Sequence, residues 1–158
     1  EYHRDMARQN TTVGERISDY LVNLNYDMLG SPNYMFGIYN GSSAPSSTSN
    51  KTVPGSIKLS ELFRDWFTNQ LLPWNYTDFS GRSDYGPFLE AGVVASGLGG
   101  MAETAYDPCY HLDCDTVQNI NQFALQRMTQ AAAYVLEFLG RLDNLEVWLY
   151  PDGRPGGM

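Results

Sequence analysis

Apolar residues fall in short runs broken by turn residues along most of this chain, and in two stretches they change to a helical spacing of three and four. Tyr20 to Met28 reads Tyr-Leu-Val-Asn-Leu-Asn-Tyr-Asp-Met, where Leu21, Val22 and Leu24 between tyrosines favour a buried strand that ends on Asp27. Tyr34 to Tyr39, Trp74 to Phe79 and Val93 to Ser96 are further short aromatic or β-branched runs and read as strands. Ser56 to Leu72 carries Ile57, Leu59, Leu62, Phe63, Trp66, Phe67 and Leu71 at the spacing of an amphipathic helix stopped by Pro73, with Ser60 and Glu61 as an alternative start. Ser83 or Asp84 is a natural cap for a short helix through Glu90. Asn121 caps a longer one to about Leu139, with Leu125, Met128, Ala132, Val135, Leu136 and Leu139 on one face and Gly140 as a stop signal.

Strands alternating with helical patterns predict an α/β protein: part of a mixed β-sheet with helices on both faces. Gly41 to Lys51 is rich in Ser, Thr and Pro and reads as a mobile surface loop. Residues 1–140 form the predicted domain portion, and 141–158, with its Pro/Gly-rich end, reads as a flexible tail.

Composition narrows the picture. A chain of 158 residues can bury a sizeable core. Its net charge of -8 disfavours nucleic acid and anionic membrane, both of which select basic surfaces. The chain opens on Glu1 and has no apolar run long enough for a signal peptide or membrane span, so it reads as a processed or truncated portion of a longer protein. N-x-[ST] sequences at Asn10, Asn40, Asn50 and Asn75 fit a glycosylated, secreted product, and so do two cysteines at disulfide-compatible spacing.

Candidate chemistry concentrates in Tyr106 to Thr116, read as Tyr-Asp-Pro-Cys-Tyr-His-Leu-Asp-Cys-Asp-Thr. A bond between Cys109 and Cys114 would close a tight ring around Tyr110 and His111. An imidazole is a common metal ligand that needs a partner to set its tautomer, and Asp113 and Asp115 are near enough in sequence to compete for that role. Taken alone, the loop reads more readily as a surface loop with a structural disulfide and an incidental His. His3-Arg4-Asp5 is the other His/acid grouping, and it reads as a solvated polar turn.

Three stretches, in order, resemble the later part of the catalytic domain of secreted bacterial and fungal aminopeptidases with two co-catalytic zincs. They are Asn-Tyr-Asp-Met-Leu-Gly-Ser-Pro-Asn (25–33), Gly-Arg-Ser-Asp-Tyr-Gly-Pro-Phe (81–88), and the Tyr106–Thr116 loop with the Asn-Ile-Asn and Ala-rich helix after it. The resemblance covers about residues 18–140. It implies a zinc-exopeptidase fold, peptide substrates, and Zn2+, two per complete site. It also implies that Asp27 and His111 ligate different zincs, that Tyr110 contacts the reaction intermediate, and that Arg82 lies near the substrate's amino terminus. The family's remaining ligands and its general-base Glu have no counterpart here, so a missing N-terminal part of the same domain is an expected partner. The stretch 97–104 is shorter than in the family. The rival reading is a secreted, carbohydrate-bearing fragment or binding module that keeps the scaffold without catalysis.

Overall fold

A computed structural model describes residues 9, 11–100 and 105–156. His3, Asp5 and Asn10, and residues 101–104 of the shortened stretch before the disulfide loop, lie outside the described residues. The elements in chain order are β1 (Val22–Asp27), β2 (Phe36–Tyr39), α1 (Val53–Asn69), β3 (Trp74–Thr77), α2 (Tyr85–Glu90), β4 (Val94–Gly99), α3 (Gln122–Gly140) and α4 (Leu145–Leu149), with short 3-10 turns between. The strands form a mixed sheet of order β1-β4-β2-β3. β1 runs parallel to β4, β2 antiparallel to β4, and β3 parallel to β2.

Helices cover both faces, as the alternation of patterns predicts. On one side Phe36, Ile38, Val94 and Leu98 meet Leu59, Phe63 and Phe67 of α1 and Ala124, Met128, Ala131, Val135 and Leu139 of α3. On the other, Tyr39 and Ala95 meet Phe79, Tyr85 and Leu89 around α2. β4 is buried along its whole length, which suits a central strand covered on both faces.

The boundaries differ from the expectation in instructive ways. α1 starts at Val53, ahead of Ser56, because Pro54 sits in the first turn, where its missing N–H costs nothing. That early start buries Gly55, Ser56 and Ser60 against the sheet, and Ser60 Oγ accepts from Gly41 N at 2.9 Å and donates to Tyr39 O at 2.7 Å. Leu71, expected on the apolar face, lies past the helix end and is 91% exposed. β4 runs beyond Ser96 to Gly99. On α3 the buried face is rotated from the expected one: Ala124 and Ala131 pack inward, while Leu125 and Leu136 point outward. Gly140 is the last helical residue and not the stop beyond it. Residues 41–51, expected to be mobile by composition, form hydrogen-bonded turns in which Thr48 is buried and Thr48 N donates to Pro45 O at 2.8 Å.

The largest difference lies at 141–156. In place of a loose tail, the chain turns back through α4 and puts Leu149 and Tyr150 into the main core. Tyr150 Oη donates to Leu21 O at 2.8 Å and accepts from Val94 N at 2.9 Å, linking the amino ends of β1 and β4. Arg154 donates to Ser18 O and Tyr20 O, and its guanidinium lies over the Tyr150 ring. The physical reason is apolar content: Leu142, Leu145, Trp148, Leu149 and Tyr150 bury enough surface to offset the ordering of the segment.

Candidate functional site

The three stretches singled out in the sequence meet at the carboxyl ends of β1 and β4, the edge of an open α/β sheet where ligands gather. β1 delivers Asp27 there, opposite Gly99. Period-two alternation puts Asn25 and Asp27 on the same face of the strand. Asn25, 7% exposed, donates through Nδ2 to Ser83 Oγ at 2.9 Å and to Tyr39 Oη at 3.3 Å. Ser83 Oγ in turn donates to Asp27 Oδ2 at 2.7 Å. Since the Asn25 amide occupies a hydroxyl lone pair, the Ser83 hydrogen is left free to point at the carboxylate.

Two glycines of β4 make this arrangement possible. Gly97 has φ +148° and faces Asn25, whose carbonyl oxygen would lie 1.9 Å from any Cβ placed there. At Gly99 a Cβ would meet the Tyr39 ring at 2.8 Å. Burial pushes the Tyr39 phenol up to about 12, so it stays neutral and hydrogen-bonding at physiological pH.

After Asp27 the chain turns through Met28, which adopts φ 56°. The following loop is stitched to the segment that carries the disulfide: Asn33 N donates to Tyr106 O at 3.0 Å, Asn33 Nδ2 to Ala105 O at 2.9 Å, and Asn121 N to Gly30 O at 2.8 Å. The Asp27 and His111 loops are therefore neighbours by backbone bonding. Asn121 also caps α3 as its sequence position predicts, accepting from Ala124 N at 3.0 Å.

Cys109 and Cys114 are joined, with Cα atoms 5.3 Å apart. Inside that ring His111 adopts φ 57° and is exposed, its imidazole stacked on Tyr110 with centroids 3.9 Å apart. Left-handed backbone at a residue other than Gly is uncommon and costs about 1–2 kcal/mol. Met28, Leu71 and His111 hold it among the described residues, two of them in the site loops. Asp107, 5% exposed, anchors the base of the loop by accepting from Cys109 N at 3.1 Å and Asn119 Nδ2 at 2.8 Å.

Several expectations for individual residues change here. Asp115 accepts from Asn119 at 3.3 Å, and among the described residues neither it nor Asp113 hydrogen-bonds His111, whose left-handed backbone turns the ring onto Tyr110. Asp84 sits at the start of α2 but makes no capping bond, and Ser83 is committed to Asp27. Arg82 is exposed, one residue from that contact. Asn50 and Asn75 are exposed, while Asn40 is half-buried and caps a 3-10 turn by accepting from Ser42 N. Sequence reasoning missed Asn25, Ser83, Tyr39 and Asp107 as organisers of the site. Asn25 could have been found from its position two residues before Asp27 on one strand face.

Zinc takes three or four protein ligands. Among the described residues no three His, Cys, Asp or Glu side chains gather to hold a metal ion, and both cysteines are consumed in the disulfide. Asp27 and His111 have suitable chemistry but do not complete a site by themselves.

A strand-borne acid, a Ser-Asp-Tyr loop pinned to it and a disulfide ring presenting Tyr-His thus share one edge of the sheet. The chain belongs to peptidase family M28, whose model matches residues 4–136. It is 41% identical to leucine aminopeptidase 2 of Trichophyton rubrum, over 72% of this chain and 26% of that protein. It is 36% identical to an aminopeptidase of Pseudomonas aeruginosa, over 73% of this chain and 24% of that protein. The fold is similar to that of a zinc aminopeptidase from Bacillus subtilis, with TM-score 0.58 at 18% identity, over 84% of this chain and 31% of that one. The chain thus spans about a quarter of the length of the curated relatives it matches.

Proposed function

We propose that this chain is part of the catalytic domain of a zinc-dependent aminopeptidase, which removes amino-terminal residues from peptides. The observation that carries the reading is the convergence of all three stretches at one sheet edge, through the Ser83 to Asp27 bond and the backbone bonds joining 28–33 to 105–121. Names of relatives in the same family support it. In this reading Asp27 and His111 are ligands to two different zincs, Tyr110 contacts the intermediate and Arg82 the substrate's amino terminus. Zinc, once held by the complete set of ligands, would supply activated water and carbonyl polarisation. This chain's own contribution is positional: Ser83 and Asn25 orient the Asp27 carboxylate, and the disulfide ring fixes the backbone on which Tyr110 and His111 stand.

The remaining ligands and the general base come, in this reading, from the rest of the domain. Secretion and glycosylation belong to the same proposal, resting on the N-x-[ST] sequences and the disulfide. Among the described residues no helix is long and apolar enough to cross a membrane. In the whole enzyme, His111→Ala abolishes release of amino-terminal residues and lowers bound zinc, while Tyr110→Phe lowers kcat more than it raises KM, since a contact made only in the transition state appears in the rate. Unchanged kcat in Tyr110→Phe removes the role assigned to that phenol.

A further inference from the structure

Asn40-Gly41 is the single Asn-Gly pair in the chain. Such a pair carries chemistry of its own, because a glycine nitrogen has no side chain beside it and can reach the carboxamide carbon of the residue before. The pair lies at a junction. Asn40 follows the last residue of β2, and Gly41 opens the 3-10 turn Gly41–Ser43 that packs on α1.

The electrophile at this junction is already polarised. Asn40 Oδ1 accepts from Ser42 N at 3.2 Å and from Ser42 Oγ at 2.7 Å, and two such donors stabilise the negative charge that attack on the carboxamide puts on that oxygen. The nucleophile, by contrast, is locked. Gly41 N donates to Ser60 Oγ at 2.9 Å, and Ser60 is 2% exposed, so the nitrogen is held by its hydrogen in the contact between α1 and the sheet, away from solvent base. Ser60 Oγ is fixed in turn, within reach of Tyr39 O at 2.7 Å and Ser56 O at 2.8 Å. Gly41 is also buried without room for a Cβ, which would strike the backbone of Ser56 and Ile57.

We propose that Asn40 is a self-modification site that deamidates through attack by Gly41 N, and that Ser60 keeps it silent for as long as α1 stays docked. When the Ser60 contact opens, a solvent base takes the Gly41 N–H proton, the nitrogen bonds to Asn40 Cγ, and the Cγ–Nδ2 bond breaks to release ammonia. Water then opens the five-membered imide at one of its two carbonyls. One opening gives an aspartyl residue, and the other an isoaspartyl residue whose main chain is longer by one carbon. The two products differ in what they do to the fold. An aspartyl carboxylate keeps an acceptor for both Ser42 donors, so the turn re-forms. The longer isoaspartyl chain has no space at a position where even a Cβ does not fit, so α1 cannot dock as before. Tyr39 is the residue next to it, and its phenol is a partner of the buried Asn25 amide, so the change reaches the groups that support Asp27. The step is irreversible, and the site therefore records how often the α1 contact has opened.

The chain is produced in a bacterial periplasm, where the disulfide forms and Asn40 carries no glycan, and is held near neutral pH at body temperature. Peptide mass spectrometry follows loss of the Asn40 amide, and isoaspartyl methyltransferase labelling separates the two products. The folded chain should convert at least about a hundredfold more slowly than the same chain in urea, as a structured amide is protected over an open one. Ser60→Ala removes the acceptor without adding bulk, and should speed conversion in the folded chain by about tenfold, the factor one lost buried hydrogen bond implies, with no change in urea. Ser83→Ala, a similar loss on the other side of the sheet, should speed it less. If Ser60→Ala does not fold, conversion is followed in the unmodified chain through sub-denaturing urea, where it should rise in step with hydrogen exchange of the Gly41 amide. Conversion of the folded chain as fast as in urea overturns the proposal. So does a folded Ser60→Ala chain that converts no faster than the unmodified one or than Ser83→Ala, or a rate at Asn40 that stays level while the Gly41 amide opens.

Discussion

The two ends of the sheet are held in opposite ways. At the amino ends of β1 and β4 the returning segment 141–156 fills the core with Leu149 and Tyr150 and satisfies backbone groups through the Tyr150 phenol and Arg154. At the carboxyl ends the chain leaves a carboxylate, an exposed imidazole and two left-handed residues, tied together by a few polar bonds. One end stores stability, and the other holds exposed polar groups on strained backbone. The family match stops at residue 136, so the segment that clamps the amino ends lies outside the part shared most plainly with relatives.

The sharpest way to break this comparison is to remove the clamp. Ending the chain at Gly140 deletes two nearly fully buried side chains, at a cost above about 5 kcal/mol, comparable with the whole stability of a small domain. The shortened chain should show no cooperative thermal transition by circular dichroism. A normal transition would mean that the clamp adds little. At the other end, Ser83→Ala leaves the buried Asn25 amide and the Asp27 carboxylate without their shared partner, and should cost about 1–3 kcal/mol in urea denaturation. No change in midpoint would show that water replaces the hydroxyl. The smallest effect has the opposite sign. His111→Gly relieves left-handed backbone and should raise stability by about 1 kcal/mol, while removing the side chain proposed as a ligand. A fall in Tm would show that the imidazole on Tyr110 contributes more than the strain it bears.

The contrast also explains which parts of the molecule were legible in the sequence. Strands β1 and β2, the helix capped by Asn121 and the disulfide loop announce themselves through local signals, namely apolar runs, a cap residue and cysteine spacing. Choice of buried face on α3 was not local. Leu125 and Leu136 fit the periodic pattern better than Ala124 and Ala131, and close packing on the sheet selected the alanines. The clamp is hard to read because Leu142, Leu145 and Leu149, whose three-and-four spacing carries a helical signal, run straight into a Pro/Gly-rich ending. Within the site, Asp27 and His111 could be named from motifs. Their supports could not, since the Ser83 to Asp27 bond spans 56 positions and the Tyr39 contact depends on the absence of a side chain at Gly99.

The central claim is that this chain presents part of a peptidase site and cannot run the reaction unaided. Hydrolysis of an amino-acid anilide by the purified chain, with and without added zinc, tests it most directly. The account predicts no turnover above a zinc-only blank, because water activation needs a metal in fixed coordination beside a positioned base. Chelator-sensitive turnover well above that blank would contradict it, and would mean that residues outside the described set, His3 and Asp5 among them, complete the site.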